Sequence, residues 1–296
     1  MFEGRVAIVT GAGRGLGREH ALLLASEGAA VVVNDLGGGT DGSGSDTGPA
    51  GSVVEEIVAA GGSAVANTDD VSDWEGARRL VQQAVDEFGR LDVLINNAGI
   101  LRDRMLVNLS EDEWDVVMRV NAKGHAAPLR HAAAYWREQA KEHGSALGGA
   151  AVVNTSSPSG LFANVGQSNY GAAKLAVAGL TMIAAKELGR YGVRVNTIAP
   201  AARTRLTAPL ASAPAETQEF EPMDPANVAP WVAYLASDRC TMTGRCFIVF
   251  GGKVILVEPW RATASIEQEG RWTLDELVAR GPELDIEFDS NNPWGY

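Results

Sequence analysis

The chain has 296 residues, of which 46% are hydrophobic and 21% charged, the composition of a globular protein with one large α/β domain or two small ones. A formal net charge of −12 argues against nucleic acid or an anionic membrane as the main partner, and there is no apolar run of about 18 residues that would predict a membrane span. Two cysteines, Cys240 and Cys246, favour a reducing compartment, so we expect a cytoplasmic protein. Their spacing suits neither a redox pair nor a zinc site, and no metal is expected.

The first element of the chain is a strand that leads into a glycine-rich turn. Arg5–Thr10 (RVAIVT) is short, apolar and β-branched, TGAGRGLG follows at Thr10–Gly17, and Arg18–Glu27 is an amphipathic run that predicts a helix. A strand, a glycine turn and a helix in this order form the first half of a dinucleotide-binding unit. Three glycines would permit the tight turn, the close approach of a pyrophosphate and close helix packing, in that order: Gly11, Gly15 and Gly17.

The next predicted strand, Ala30–Asn34, is followed by an acidic residue that bears on the choice of cofactor. Asp35 is placed to accept hydrogen bonds from the ribose hydroxyls of NAD, and its charge would repel the additional phosphate of NADP. Arg14, inside the glycine turn, points weakly to NADP because a basic residue there could bind that phosphate. Asp35 could also be a plain exposed loop residue. We expect NAD, because the position of Asp35 relative to the strand end is the better defined of the two.

A segment rich in glycine, serine and aspartate, residues 37–52, predicts a mobile loop. It could cover the adenosine half of a bound cofactor, or it could be an ordinary solvent-exposed loop. A helix at Val53–Ala60 and a strand at Ala64–Asn67 follow. Asp70 and Val71 then lie where an adenine ring would be expected.

The middle of the chain continues the alternation of helices and strands. Trp74–Phe88 is amphipathic and predicts a helix, and Asp92–Gly99 (DVLINNAG) is an apolar strand that runs into a polar turn. Asn96 and Asn97 could join neighbouring strands through their amides, which is a structural role. Gly99 leaves room for a cofactor.

A long helix is predicted to begin after Ser110, which forms a capping box with Glu113. Asn121 lies within this helix, where asparagine has poor propensity. A side chain that bonds local backbone, or water near an active site, would explain it. The strand Ala150–Thr155 follows.

A serine, a tyrosine and a lysine after this strand have a spacing that suggests acid–base chemistry. Tyr170 and Lys174 are four residues apart and share one helix face. The ammonium would lower the pKa of the tyrosine, which could then exchange a proton with an alcohol near neutral pH. Ser157, at the end of the strand, could hydrogen-bond the same substrate oxygen. Tyr-x-x-x-Lys alone is more often a solvated helix pair, but the glycine turn at the start of the chain favours the catalytic interpretation.

The rest of the chain predicts a strand at Val193–Ile198 closed by Pro200, a substrate-covering or plain surface loop at 201–225, a helix at Asn227–Ser237 and a strand at Cys246–Phe250. A short helix is expected in the tail, around three residues: Trp272, Leu274 and Leu277.

Strands that alternate with helices predict a Rossmann-type α/β fold, in which one doubly wound parallel sheet carries helices on both faces. We assign this domain to residues 1–260. Residues 261–296 are expected to form an extension that serves in packing or as an interface arm.

Five features resemble, in order, the pattern of the short-chain dehydrogenase/reductase family: TGAGRGLG, NNAG, Asn121, Ser157 and YGAAK. The resemblance implies hydride transfer between a nicotinamide cofactor and a secondary alcohol or ketone. It implies that Tyr170 is the acid and base, and that Lys174 lowers its pKa and binds the nicotinamide ribose. Ser157 would polarise the substrate oxygen, and Asn121 would hold a proton-relay water.

The same resemblance implies which residues contact the cofactor. They lie in the glycine turn, at strand ends and on the central helix: Gly11, Arg14, Gly15, Leu16, Gly17, Asp35, Asp70, Val71, Asn97, Ala98, Gly99, Tyr170, Lys174 and Pro200. It also implies a homodimer or homotetramer built partly on the helix that carries Tyr170. The small residues of that helix would let another backbone approach, or would pack tightly against the sheet.

A narrower similarity concerns the substrate. Asn34–Gly38 (NDLGG), Asn96–Arg104 (NNAGILRDR) and Asn196–Pro200 (NTIAP) are similar to the 3-hydroxyacyl-CoA dehydrogenase unit of the peroxisomal multifunctional enzyme type 2, which implies an acyl-CoA substrate. Ala201 and Arg205 depart from the wider family, which usually has glycine and threonine there. Four arginines on flanking loops could bind the anionic tail of CoA or be solvated surface charges: Arg102, Arg104, Arg203 and Arg205.

Two alternatives stay open. One is a dehydrogenase or reductase of a steroid, a terpenoid or another non-thioester alcohol, because fold does not determine substrate. The other is a non-catalytic NAD-binding scaffold or sensor, although such a protein would not need the whole set of Asn121, Ser157, Tyr170 and Lys174.

Overall fold

A computed structural model of the protein describes residues 1–205, 220–258, 260 and 262–286. The chain divides into two compact units, Met1–Val257 and Glu258–Tyr296. The second unit contains the predicted extension at 261–296, whose role in packing or as an interface arm stays a prediction. Among the described helices, none combines the length and the apolar character needed to cross a bilayer.

The first unit is organised around one eight-stranded sheet with the order β3-β2-β1-β4-β5-β6-β7-β8. Neighbours from β3 to β7 run parallel, and β8 pairs antiparallel with β7. The strands are β1 Val6–Thr10, β2 Ala30–Asn34, β3 Ser63–Asn67, β4 Val93–Asn96, β5 Ala151–Thr155, β6 Arg194–Ala201, β7 Cys246–Phe250 and β8 Lys253–Val257.

Helices cover both faces of this sheet. The described helices are α1 Gly15–Ser26, α2 Gly48–Ala59, α3 Trp74–Phe88, α4 Glu111–Val117, α5 Gly124–Glu142, α6 Pro158–Phe162, α7 Ser168–Leu188, α8 Ala229–Ala236 and, in the second unit, α9 Leu274–Arg280. Buried residues of α1, α2 and α8 pack on one face, and those of α3, α5 and α7 on the other. The central strands are buried on both faces, which explains their nearly continuous apolar sequences. The predicted doubly wound fold is confirmed.

Several predicted boundaries are wrong, and α2 shows why. It begins at Gly48, inside the segment predicted as a loop, rather than at Val53. Pro49 fits the first turn of a helix, where its missing N–H is not needed. The Asp46 carboxylate also accepts a hydrogen bond from the Gly48 N–H at 2.9 Å. The composition of the segment therefore concealed a helix start.

Strand β6 likewise extends through Pro200, which was predicted to close it. Thr155, the last residue of β5, pairs with Ile198, so β5 has ended where Pro200 lies. The Thr197 N–H donates towards β7, and successive N–H groups of a strand point to alternate sides. The N–H that Pro200 lacks would have pointed towards the side where β5 has already ended. The sheet therefore loses no hydrogen bond at this proline.

Strand β8 is absent from the prediction, although the sequence signals it. Gly251 and Gly252 separate two apolar runs, CFIVF and KVILV, and two glycines between such runs are typical of a tight hairpin. Gly251 has a φ of +50°, as the first position of a hairpin turn often requires. The short helix expected near Trp272 is α9, which a capping box of Thr273 and Glu276 begins.

The two hairpin glycines should respond differently to substitution. A Cβ at Gly251 would combine a left-handed backbone with a contact of 3.3 Å to Pro222, whereas one at Gly252 meets nothing within 4 Å. We expect Gly251→Ala to lower the free energy of unfolding by about 1 kcal/mol or more in urea titrations. Gly252→Ala is the matched control and should change it by less than about 0.5 kcal/mol. Equal losses would show that the turn is not as described.

Candidate active site

The candidate site lies at the carboxyl ends of the central strands. Sequential strands proceed outward from β1 to β3 in one direction and from β4 to β7 in the other, so the order reverses between β1 and β4. In open α/β sheets this reversal creates the crevice in which ligands bind. The glycine turn follows β1, Asp35 follows β2, and Asn97–Gly99 follow β4.

The glycine turn is closely packed and ends in an uncapped helix. A Cβ on Gly11 would lie 2.8 Å from Ala98 Cα, and one on Gly17 would lie 2.2 Å from the Gly11 carbonyl oxygen. Arg14 is the N-cap of α1 and makes no capping hydrogen bond. The N–H groups of residues 15–17 precede the first intrahelical bond, from Arg18 N to Arg14 O at 3.4 Å. Such free N–H groups would suit a pyrophosphate.

The Asp35 carboxylate hydrogen-bonds the backbone of the glycine turn after β1 and that of its own segment after β2. Its Oδ2 accepts from Gly13 N at 2.8 Å, and its Oδ1 accepts from Gly37 N at 2.7 Å. The motif analysis did not single out Gly13, yet a Cβ there would lie 2.8 Å from Asp35 Oδ2. The half-buried carboxylate has further lone pairs, so it could still accept from ribose hydroxyls.

The turn after β4 is fixed to the end of β1. Asn97 donates from its N–H to Thr10 Oγ1 at 2.9 Å and from Nδ2 to the carbonyls of Thr10 and Gly11. The Ala98 N–H also donates to Thr10 Oγ1, at 3.1 Å. The predicted joining of neighbouring strands by Asn97 is confirmed. Leu16 is partly buried, and its side chain packs against the hydrophobic core.

Asp70 and Val71 form the wall beyond β3. Asp70 Oδ1 accepts from Ser72, and Oδ2 pairs with Arg119 at 3.1 Å. Val71 is buried, and a Cβ on Gly124 would lie 3.2 Å from its Cγ2. The wall is thus tied to the start of α5. Pro200 lies on β6, at the far end of the same edge.

The glycine-rich residues 37–47 are bonded to the segment after β4. Leu101 N donates to Thr40 O at 3.1 Å, and Arg102 Nε donates to Asp41 O at 2.8 Å. A Cβ on Gly42 would lie 2.9 Å from Ile100 Cδ1. The predicted excursion therefore crosses from the end of β2 to the residues that follow Gly99. The predicted substrate loop at 201–225 falls largely outside the described residues.

Ser157, Tyr170 and Lys174 converge beside the end of β5. Ser157 is the N-cap of α6, where its hydroxyl accepts from the Ser159 N–H at 3.2 Å, and it lies near enough to Tyr170 to lower the pKa of that side chain. Lys174 is buried, its Nζ donates to Thr155 O at 2.8 Å, and it lies 5.6 Å from the centroid of the Tyr170 ring. The three residues that the sequence grouped are therefore neighbours.

The direction of the tyrosine pKa shift differs from the expectation. Burial raises the pKa of Tyr170 to about 12; the Ser157 hydroxyl opposes this, and the charge of Asp103 adds to it. Burial also lowers the pKa of Lys174 to about 7. Desolvation disfavours both charged forms, and neither side chain is a cause of the other's pKa shift. The sequence argument counted the attraction and could not count the burial.

Asn121 lies in an irregular part of the predicted long helix. Residues Met118–Lys123 form a π-helical turn between α4 and α5, a feature frequently found at functional sites. Asn121 Nδ2 donates to the carbonyls of Ile100 and Val117, at 3.0 and 3.1 Å. No donor among the described residues reaches its buried Oδ1. A Cβ on Gly99 would lie 2.7 Å from this oxygen and 3.5 Å from Lys174 Nζ, so glycine keeps that space open.

Three supporting asparagines and a histidine were not assigned to the site. Asn96 Nδ2 donates to Asn154 Oδ1 at 2.9 Å, which joins β4 to β5, as predicted for its amide. Asn169, fully buried, accepts from Tyr170 N and donates to the Arg102 and Glu113 carbonyls. His125 is buried behind Lys174. Asn154, Asn169 and His125 do not belong to the sequence motifs used above, so only the fold reveals them.

Taken together, the described residues fit a nicotinamide dinucleotide. Free helix N–H groups suit its phosphates, Asp35 suits a ribose, and the space beside Gly99 is bounded by Asn121 Oδ1 and Lys174 Nζ. Among the described residues there is no cluster of three or more His, Cys, Asp or Glu side chains that could hold a metal ion.

Comparison with known proteins gives consistent matches. A family model described as short chain dehydrogenase matches residues 5–214. The chain is 46% identical to a hydroxyacyl-CoA dehydrogenase of Mycobacterium tuberculosis over 94% of this chain and 87% of that protein. It is 43% identical to the peroxisomal multifunctional enzyme type 2 of Mus musculus, over 85% of this chain and 32% of that protein. A crystal structure of a short chain dehydrogenase from Mycobacterium avium matches with a TM-score of 0.84 and 49% identity, over 96% of this chain and 95% of that one.

The buried lysine makes a testable contribution to stability. Unfolded, Lys174 keeps its proton up to its ordinary pKa of 10.5; folded, it loses it above about 7. Between these values the unfolded state binds more protons, so stability rises with pH, and the cost of burying the charge is fully present below pH 7. We expect Lys174→Met to raise the free energy of unfolding by a few kcal/mol at pH 6, with a gain that shrinks towards pH 10.

Urea titrations at several pH values would measure this gain. Lys186→Met, an exposed position on the same helix, is the control and should show no such pH dependence. A gain for Lys174→Met that does not narrow as pH rises would mean that the folded protein holds Lys174 charged throughout this range.

Proposed function

The chain belongs to the short-chain dehydrogenase family, and we propose that it oxidises 3-hydroxyacyl-CoA thioesters with NAD. The resemblance inferred from the motifs is confirmed, and the protein is an oxidoreductase that acts on CH–OH groups. A non-catalytic scaffold is thereby set aside. The convergence of Ser157, Tyr170 and Lys174 at the end of β5 supports this chemistry most directly.

A nicotinamide cofactor supplies the hydride acceptor for the alcohol carbon. Ser157 Oγ holds the substrate oxygen by a hydrogen bond, and Tyr170 Oη accepts the hydroxyl proton during oxidation. In the reverse direction Tyr170 returns that proton to the ketone oxygen. Lys174 would bind the nicotinamide ribose, and its charge favours the tyrosinate whenever the lysine is protonated. Asn121 Oδ1, which has a free acceptor position, would hold a water that exchanges protons with solvent.

The pKa of Tyr170 sets the pH dependence. A value of about 12 leaves the hydroxyl protonated at neutral pH, so it is ready to act as the acid in ketone reduction. Oxidation requires the base form, which becomes more abundant as pH rises. Alcohol oxidation should therefore accelerate towards alkaline pH, and ketone reduction should slow.

The preference for 3-hydroxyacyl-CoA rests on the named relatives, since hydroxyacyl-CoA dehydrogenase and multifunctional enzyme type 2 are both among them. The arginines proposed for the CoA tail are engaged within the protein. Arg102 bonds Asp41, Arg104 pairs with Glu113 at 3.0 Å, and both arginine side chains are more than one-third exposed. Exposed ion pairs are weak and can exchange for a phosphate. Arg203 and Arg205 adjoin the segment that the structure does not describe.

Assembly as a homodimer or homotetramer and a cytoplasmic location stay predictions. The outer side of α7 is consistent with assembly, because Ile183 is 57% exposed and a Cβ on Gly179 would meet nothing within 4 Å. Gly179 therefore does not serve tight internal packing, which was the alternative explanation for the small residues of this helix.

The substrate and the role of Tyr170 can be tested in one set of assays. We expect the highest kcat/KM with NAD for a 3-hydroxyacyl-CoA, a lower value for the same acyl group on N-acetylcysteamine, and the lowest for a hydroxysteroid. Tyr170→Phe should lower kcat by at least about a hundredfold with NADH binding unchanged, because the ring remains and only the proton carrier is lost. Tyr234→Phe, on helix α8, which carries none of the predicted site residues, is the control.

Two results would contradict these expectations separately. Rapid oxidation of the steroid with no turnover of any thioester would favour the non-thioester alternative. A Tyr170→Phe enzyme within a few fold of wild type would remove tyrosine from the mechanism while leaving the substrate question open.

The cofactor preference depends on the charge of Asp35. We expect wild-type kcat/KM to favour NAD over NADP by at least about tenfold, because a carboxylate next to a phosphate is repulsive. Asp35→Asn keeps an acceptor for the backbone but removes the charge, so the preference should shrink. Asp41→Asn, on the exposed glycine-rich segment, should not alter it. Equal efficiency of wild type with both cofactors would contradict the prediction, and Arg14 would then be the residue to substitute.

A further inference from the structure

His125 is a fully buried histidine that none of the motifs quoted above includes. It is the second residue of α5, the helix that directly follows the π-helical turn that carries Asn121. Its carbonyl accepts from Asn96 Nδ2 at 3.2 Å, and the same amide donates to Asn154. The backbone of His125 is therefore fixed to the ends of β4 and β5.

The His125 ring faces the end of β5, beyond the point where β4 stops pairing with it. β4 ends at Asn96, opposite Asn154, so Thr155 has no partner on β4. The Thr155 N–H instead donates to His125 Nε2, at 3.4 Å. The Thr155 carbonyl accepts from Lys174 Nζ, at 2.8 Å. His125 and Lys174 thus take the two backbone positions that a longer β4 would have occupied.

Two other histidines show that burial alone does not produce this arrangement. His20 is buried in α1, and among the described residues neither of its ring nitrogens has a hydrogen-bond partner. His131 is buried in α5, where it stacks edge-on against Trp74, away from the catalytic residues. Of these three, His125 is the one whose ring bonds the residue that holds Lys174.

We propose that His125 is a positioning residue, which holds Thr155 so that its carbonyl fixes Lys174 beside Tyr170. The proposal rests on the proposed function, because it assigns His125 a part in placing the catalytic lysine. The hydrogen bond is long, so its role is to limit the movement of Thr155 rather than to bind it strongly.

The charge state of the imidazole is part of this role. Burial, together with the nearby charge of Lys174, lowers the pKa of His125 well below its usual value. Lys174, from α7, is the charged group that acts on the ring, and the other groups that act on it are the backbones of Asn121, Thr155 and Asn96. A neutral ring can accept at Nε2, whereas a protonated ring would turn that acceptor into a second donor and place another positive charge beside Lys174.

Two substitutions distinguish the role of His125 as a hydrogen-bond acceptor from its role in packing. His125→Gln offers an amide oxygen to the Thr155 N–H, and His125→Leu fills space without an acceptor. We expect His125→Leu to lower kcat for alcohol oxidation about tenfold with KM for the alcohol unchanged, because misplacement of a catalytic group reduces turnover. His125→Gln should stay within about threefold of wild type. His131→Gln on the same helix is the matched control and should equal wild type.

The dependence of kcat on pH distinguishes this role from partial loss of folding, which would not change that dependence. Lys174 carries its charge below about pH 7, and there the ammonium favours the tyrosinate. In His125→Leu this ammonium loses part of its carbonyl acceptor, so Lys174 should lose its proton at a lower pH, and the dependence of kcat on pH below about pH 7 should differ from that of wild type, with kcat expressed per bound NADH. A variant that only folds less completely would bind fewer equivalents of NADH and keep the wild-type profile. That outcome, or a His125→Gln enzyme as impaired as His125→Leu, would overturn the proposal.

A stability cycle tests the inference without any substrate, which separates its failure from that of the proposed function. The shift in urea midpoint caused by His125→Leu should be clearly smaller in a Lys174→Met background, because the bond through which His125 acts is then absent. His131→Gln should shift the midpoint equally in both backgrounds. Additive effects of His125→Leu and Lys174→Met would contradict the proposal even if the enzyme oxidises every alcohol predicted above.

Discussion

Lys174 is buried against the end of β5, and its Nζ donates a hydrogen bond to the Thr155 carbonyl. Burying an ammonium is unfavourable unless its donors are satisfied, and a single described bond does not offset that cost. The surrounding structure must therefore hold the lysine in place. β5 presents the carbonyl, α7 carries the side chain, and Gly99 leaves space beside Nζ. A nicotinamide ribose next to Lys174, as proposed above, would supply additional hydrogen-bond acceptors to the ammonium.

The carboxyl ends of the strands show how a parallel sheet can form a reactive site. Inside the sheet the strands are apolar and their backbone groups bond one another, so nothing there can react. Where the strands stop, the backbone groups lose their partners and polar side chains replace them. Five strands end in such a residue: Thr10, Asn34, Asn67, Asn96 and Thr155. The chain of bonds from Asn96 through Asn154 to Thr181 then ties the strand ends to α7, the helix that bears Tyr170.

Local patterns in the sequence carried most of the fold and the central residues of the site. Seven strands were predictable because each is a short apolar run, and Ser110 caps its helix as expected. The eighth could also have been found from its two glycines. The π-helical turn at Asn121 could not, because it depends on tertiary packing. The pKa of Tyr170 moved opposite to expectation because spacing along a helix gives the partner of a residue but not the depth of its burial.

Buried polar atoms without hydrogen-bond partners occur at functional and at structural positions. A functional site is therefore recognised by several unusual features that lie close together. Asn121 Oδ1, His20 and Trp231 Nε1 are all buried without a partner among the described residues. At Asn121 the atom coincides with a π-helical turn, a glycine that keeps the adjoining space open and a desolvated lysine. At His20, burial lowers the pKa of the ring to about 3, and no other charged group is a cause of that shift. A single buried polar atom without a partner therefore does not identify a functional site, whereas several such features at the end of one strand do indicate one.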